Sequence, residues 1–301
     1  MAKLKEKKEK KRIKQDVGLN LVIHIILIAI GILCMYPIWF VLIASISEPS
    51  AIANGDVIFL PKKITFAAYE ALSKYPEIFM GYRNSLFYMF FGTGITLVGI
   101  LPCAYALSRK ELVGRKFWNT LIVVSMYFSG GLISTYLLHK SIGWLDTIWV
   151  LVMPGLFTAY YLILARNSFE SLPEAMREAA FIDGANDFQY FIKFVLPLSK
   201  AMIAVIFLFR ALGWWNSYMQ FLIYIDTPEL QSLQVIVNQI TTKLSSALSD
   251  GGSMSEAIAA DKTKELLKYS VVVITALPFC ILYPFIQKYF NTGIMIGSVK
   301  E

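Results

Sequence analysis

Few residues in this 301-residue sequence offer a start for chemistry. The two histidines, His24 and His139, and the three cysteines, Cys34, Cys103 and Cys280, fall in or at the ends of apolar runs. There is no CxxC spacing, no HExxH and no GxSxG, so neither a metal centre, a disulfide frame nor a nucleophilic hydrolase is supported. The cysteines read as small buried packing residues. GxxxxGK[ST] is also missing, so the chain brings no P-loop for ATP. What remains is non-covalent chemistry. Arg210, Trp214, Trp215, Asn216 and Tyr218 crowd into one apolar run, and Ser129, Ser134, Thr135 and Tyr136 into another beside Gly130-Gly131. Guanidinium, amide and hydroxyl groups hydrogen-bond while flat rings stack, a combination suited to a polar solute with apolar faces.

A second constellation is polar and punctuated. Residues 178–197 read EAAFIDGANDFQYFIKFVLP. Ser171 and Glu174 have the spacing of a capping box, which predicts a short helix EAMREAAFI. Asp183-Gly184 would end it, because glycine permits a turn that other residues resist. Asn186 is placed to cap a second short helix, DFQYFIKF, running to Leu196-Pro197. Ala179, Ala180 and Ala185 would let another protein approach closely, and Phe181, Phe188 and Phe191 are apolar anchors. The pattern alone allows a docking elbow or a structural re-entrant loop.

The elements that must position these groups are membrane helices. Of the residues 56% are hydrophobic and 16% charged, with a mean hydropathy of +0.58, whereas soluble domains carry about a quarter charged residues. The apolar residues form blocks of the roughly 20 residues a helix needs to cross hydrocarbon. Six are predicted, at about 19–46, 84–107, 117–138, 147–167, 197–225 and 269–290. The runs are continuous rather than alternating, so the fold class is an all-α polytopic membrane protein and not a barrel. Arg210 and Asn216 would be costly against lipid, so they should face the bundle interior, a partner or water. The structural alternative is an interfacial belt for Trp214 and Trp215 and an ion pair for Arg210. On one helix 214, 215 and 218 share a face while 216 turns about 100° from 215, so they cannot all line one path.

Charge placement orients the chain. The net charge is +7, but eight of the 28 Lys and Arg lie in the first 14 residues, which argues for a solvated, disordered tail at an anionic membrane surface (residues 1–18) rather than for nucleic acid. With that tail inside, the inner segments carry 18 Lys and Arg and the outer ones nine, placing both termini in the cytosol. Residues 48–83 then form a small outer cap, and GYRNS at 81–85 opens the second span with Asn84 or Ser85 as its cap. Residues 226–268 form a second outer loop with an amphipathic helix, LQSLQVIVNQITTKL, and a tip at SDGGSMSE.

The spacing of Glu178-Ala179-Ala180, Gly184, Leu196 and Pro197 resembles the inner loop of permease subunits of binding-protein-dependent ABC importers. Phe194 stands where isoleucine is usual. PSAIANGDVIFLP, GYRNS, FSGGLISTYLL and NTGIMIGSVKE extend the resemblance over residues 20–301. They are similar to the MalG-type carbohydrate-uptake permeases, closest to the LplB- and YtcP-like subgroup of Gram-positive bacteria. The resemblance implies a type I importer fold and a cytosolic coupling elbow at 171–197. It places Glu178, Ala179, Ala180, Asp183, Gly184, Ala185, Phe188 and Pro197 at the joint with a separate ATPase. It also implies a second homologous permease, two ATP-binding subunits that hold ATP and Mg, a lipid-anchored solute-binding protein and a carbohydrate cargo. The hydrogen-bonding groups and flat rings of Thr135, Tyr136, Arg210, Trp214, Trp215, Asn216 and Tyr218 are the candidates to meet that cargo. No cofactor is expected on this chain. By the same resemblance, Asp250, Gly251, Gly252 and Ser253 would enter the binding protein; a plain linker is the alternative. The elbow does not encode cargo, so an ABC permease for peptides, amino acids or other small solutes is a rival. An ion-driven transporter would call for acidic residues or broken helices within the spans, and Asp and Glu lie almost wholly in loops and tails.

Overall fold

A computed structural model gives the structure of the protein and describes residues 2–247, 267–278, 280 and 281. All regular elements among the described residues are helical, the arrangement that satisfies backbone hydrogen bonds without water. The chain divides into two compact units, one of residues 1–74 with 241–274 and one of residues 75–240 with 275–301.

In the first unit, α1 (Ala2–Ser45) carries an apolar stretch, Gly18–Ser45, long enough to cross a membrane. The basic tail is therefore helical from Ala2, not disordered; Lys, Glu and Arg are good helix formers when nothing interrupts them. The following segment folds back on the end of α1. Ile43, Ala51 and Val57 form a small core that takes in α2 (Pro49–Ala53), and α3 (Ala67–Ser73) follows it in the chain. Ser47 Oγ donates to Ile43 O and accepts from Lys62 N–H, while Tyr69 donates to Ser45 Oγ at 2.8 Å. The compact unit ends at Lys74, short of the 48–83 segment read from the sequence.

The second unit is built on α4 (Pro76–Ser108), 33 residues long. It packs against α8 (Ala159–Glu170) and α12 (Lys200–Trp215). Small residues at these contacts, Ala104 and Ala165 among them, let backbones approach, which is how helices associate in lipid. The second span thus begins at Pro76, and GYRNS lies inside the helix. Asn84 and Ser85 are caps for something else. Asn84 Nδ2 donates to Glu229 O and Gln231 O, and Ser85 Oγ accepts from Leu233 N–H, the first residue of α14 (Leu233–Ala247).

The third span is not one straight helix. α5 (Arg115–Tyr127) and α6 (Gly131–Ser141) meet at 110° across Phe128–Gly130, where the backbone turns extended before Gly131 takes a φ of 76°. Apolarity is continuous across the break, so composition could not reveal it. Residues Ile148–Glu170 form the fourth span, tightened into a 3-10 turn at Met153–Gly155 between α7 (Ile148–Val152) and α8. The fifth is interrupted too: α12 stops at Trp215, and α13 (Met219–Tyr224) follows a break at 216–218. Where the sequence predicts a sixth span at 269–290, the described residues form a shorter apolar helix, Leu267–Pro278, and most of the remainder lies outside them. Cys34 and Cys280 are exposed on the chain rather than buried; Cys103 is half-buried.

Candidate functional site

The elbow forms where the sequence punctuates it. α8 ends at Glu170 with Ser171 as its C-cap, and Ser171 Oγ donates back to Ser168 O. Ser171 therefore does not cap the next helix. Pro173, fixed in an extended conformation, precedes α9 (Glu174–Ile182), and no side-chain cap is made there. Asp183 caps the far end, and Gly184 follows at φ 84°, a left-handed conformation that a side chain would resist. Gly184 N–H donates to Phe181 O and Ala185 N–H to Ala180 O, closing the last orphan carbonyls of α9 in a Schellman turn. Asn186 then caps α10 (Asp187–Tyr190). Its Oδ1 accepts from Gln189 N–H at 2.8 Å while Gln189 Oε1 accepts from Asn186 N–H at 3.1 Å. A π-helical turn, Phe191–Val195, and the short α11 (Leu196–Leu198) lead into α12 across a 76° bend.

Each short helix has an inner and an outer face. Ala180, Tyr190, Phe191 and Val195 are buried against Leu101, Ala104 and Tyr105 of α4 and Phe169 of α8. Of the residues the sequence assigns to a joint, only Ala180 is sealed in this way, and Ala185 is half-buried. Glu178, Ala179, Asp183, Gly184, Phe188 and Pro197 all lie on the exposed side. Ile182 is also exposed, at 85%, and Phe188 at 70%. Nothing among the described residues covers this isoleucine. Reading the 178–180 motif alone overlooks it.

Charges brace the elbow. Arg177 Nη1 lies 2.6 Å from Glu111 Oε1 and 3.8 Å from Glu174, and Nη2 lies 3.6 Å from Asp187. Its guanidinium also covers the Phe181 ring at 4.8 Å. Lys110 pairs with Glu174 at 3.0 Å, Arg115 with Glu170, and Tyr105 donates to Asp187 at 3.1 Å. The hydrogen bond from Arg177 holds Glu111 below the usual carboxylate range, and that from Lys110 does the same for Glu174. The basic segment 109–115 is thereby tied to α8 and to the first elbow helix, while Tyr105 of α4 holds the second. A cleft of about 220 Å³ lies there, lined by Arg109, Lys110, Glu174 and Arg177 among others. Neither Arg177 nor Glu111 was singled out from sequence; the three-residue spacing of Glu174 and Arg177 is the only local hint.

The residues expected to meet a solute are dispersed. Trp214 and Trp215 are buried at 3% and 2% exposure, inside the unit and not in an interfacial belt. Trp214 stacks on Tyr88 and lies under Arg210, and Trp215 Nε1 donates to Thr275 O. Arg210 has no ion pair among the described residues; its Nε donates to Thr96 Oγ1 at 3.1 Å. Asn216 is exposed, as the C-cap of α12. Tyr218 lies beyond the helix end and donates to Asn238 at 3.4 Å, so it does not share the helical face of Trp214 and Trp215. Thr135 donates to Gly131 O within α6, and Tyr136 stacks on Tyr224 of α13. Asp250, Gly251, Gly252 and Ser253 lie outside the described residues.

The family description "Binding-protein-dependent transport system inner membrane component" matches residues 78–296, a stretch that includes the whole elbow. The chain belongs to that family. It is 34% identical to the polygalacturonan/rhamnogalacturonan transport system permease protein YtcP of Bacillus subtilis, over 93% of this chain and 98% of that protein. It is also 34% identical to protein LplC of the same organism, over 90% and 91% of the two chains. A crystal structure of a bacterial ABC transporter involved in import of the acidic polysaccharide alginate contains a chain matching 92% of this one. The TM-score is 0.80 and the identity 31%. This chain, whose described regular elements are all helical, is accordingly an ABC importer permease, a membrane subunit of a class that is generally non-catalytic.

Proposed function

We propose that this permease forms one half of a transmembrane path for saccharides, in particular oligosaccharide fragments of a larger polymer, and that its 171–197 elbow carries the stroke of a separate ATPase. The observation that carries the second part is the two-faced elbow. One face is packed on α4 and α8, and the other presents Ile182 and Phe188 to a partner. In this reading the tail, the elbow and the carboxy end lie on the cytosolic side of a bacterial membrane, as the Lys and Arg distribution supports. Two ATP-binding subunits hold ATP and Mg, a second permease completes the path, and a lipid-anchored binding protein delivers cargo to the outer side. The relatives that import polysaccharide support the cargo class, and Bacillus relatives support a Gram-positive host.

Mechanically, the elbow is stiff. Its turn is fixed by the Schellman bonds at Gly184 and cross-braced by Arg177, so motion imposed on the outer face passes to α4 and α8 rather than dissipating in the loop. Reconstitution of the four-component system in liposomes tests the reading. ATP-dependent uptake of an oligosaccharide that requires the binding protein is expected. Uptake driven by an ion gradient without ATP, or of peptides only, would overturn it.

A further inference from the structure

The seam between α4 and α12 holds a set of hydrogen-bond donors with nothing to receive them. Arg210 is half-buried. Its Nε is spent on Thr96 and its face rests 5.0 Å above the Trp214 ring. Thr96 is itself held by donating to Gly155 O at 3.0 Å. Gly155 is what lets the guanidinium lie there: a Cβ on it would sit 1.8 Å from Arg210 Nη2. The two terminal nitrogens of Arg210 meet no carboxylate among the described residues, yet they are not sealed from the surface. Beside them, Trp214 Nε1 and Tyr88 Oη are buried without a partner. Donors are thus concentrated at one place, and the missing complement is an acceptor, best an anion.

Arg210 stands ten residues into α12, about 15 Å along a helix, near the middle of a bilayer whose hydrocarbon is about 30 Å thick. Lipid phosphates lie too far away. A cation at this depth is costly unless it serves a path or a partner. Its guanidinium is pre-oriented by Thr96 and Gly155 with its forked end free, the geometry that takes a carboxylate through two parallel hydrogen bonds. Resting on the saccharide reading above, we propose that Arg210 is a specificity-determining residue that receives the carboxylate of uronate-bearing cargo as it passes the membrane midplane.

The test uses the full reconstituted importer and two probes of the same shape, trigalacturonate and its methyl ester, with a neutral trisaccharide alongside. The readout is the ratio of acid to ester uptake, in which any discrimination by the binding protein cancels between variants. Arg210→Gln is expected to lower that ratio about 10- to 100-fold, the loss of one charge-assisted pair, with ester uptake within about twofold of the parent. Arg210→Lys keeps charge but not the fork, and an intermediate ratio is expected; it decides the matter should the glutamine variant fail to accumulate. An unchanged ratio, or equal loss of acid and ester, overturns the proposal. So does loss of the second permease from an Arg210→Gln chain that still inserts, which would assign the anion to that subunit. A parent importer that takes up neutral trisaccharide but no acid overturns the proposal alone, whereas one that takes up no saccharide overturns the cargo reading beneath it.

Discussion

Arg177 and Asp187 meet across the Gly184 turn, Nη2 to Oδ1 at 3.6 Å, and so pin the second elbow helix to the first. Arg177 also reaches Glu111 outside the elbow, which makes one guanidinium the junction of three segments. Ion pairs of this partly exposed kind are worth only about 0.2–1 kcal/mol each, so their value is in fixing orientation. Arg177→Gln should therefore leave the assembled complex nearly as stable as before while lowering uptake per ATP hydrolysed several-fold. Parallel assays of ATPase rate and uptake check this; a fall in both by the same factor would show a merely structural role.

At Gly184 the cost is in the backbone, because a Cβ there would meet nothing within 4 Å. Holding an L-residue at its φ of 84° costs about 1–2 kcal/mol. Gly184→Val should speed hydrogen exchange of the Ala185 amide by roughly 5- to 30-fold, and Gly184→Asn by less, since asparagine visits this conformation more readily. Equal exchange in all three proteins would refute the turn's role.

Ser85 and Asn84 hold the start of α14 from a helix that precedes it by some 150 residues. Removing a serine cap costs about 0.5–2 kcal/mol. Ser85→Ala is expected to raise exchange at the Leu233 amide, and Asn84→Ala to loosen residues 229–231 as well, because two carbonyls lose their donor. Unaltered protection at Leu233 would count against this.

Asp146 supplies the pH dependence. Its carboxylate accepts from the Thr227 hydroxyl, the Thr227 amide and the Asp226 amide, which together hold it below the usual carboxylate range. Because the folded value is depressed, the contribution is complete above the unfolded value of about 4 and is lost as pH falls through the folded value. The protection factors of the 226–227 amides, which are corrected for the intrinsic pH dependence of exchange, should be flat from pH 7 to about 5 and fall in the acid range, and Asp146→Ala should remove the step. A step at neutral pH would contradict it.

Local signals carried far in this chain. The Asp183-Gly184 stop, the Asn186 cap and the small residues of 178–185 act within a few positions, so the elbow is legible residue by residue. Ser171 misled because Pro173 starts the helix without a side-chain cap, leaving the serine to close α8 instead. The breaks at 128–130 and 216–218 were hidden for a different reason. Hydropathy measures how apolar a run is and not whether it is straight, and FSGG reads equally as a flexible pair or as a corner. Long-range partners were invisible. Nothing near Arg177 announces Glu111, nor does anything near Ser85 announce Leu233, and Trp214 reads as a surface aromatic until α4 is laid over it.

Whether a separate ATPase grips this chain by the outer face of its elbow is decided by co-purification. Ile182→Glu with Phe188→Glu places charge on that face without touching the buried side. The doubly substituted chain should insert, retain the second permease and lose the ATPase subunits together with ATP-dependent uptake, while Ile64→Glu, on an exposed residue of the 46–66 segment, should retain all of them. Recovery of the ATPase at full stoichiometry with undiminished uptake would contradict it.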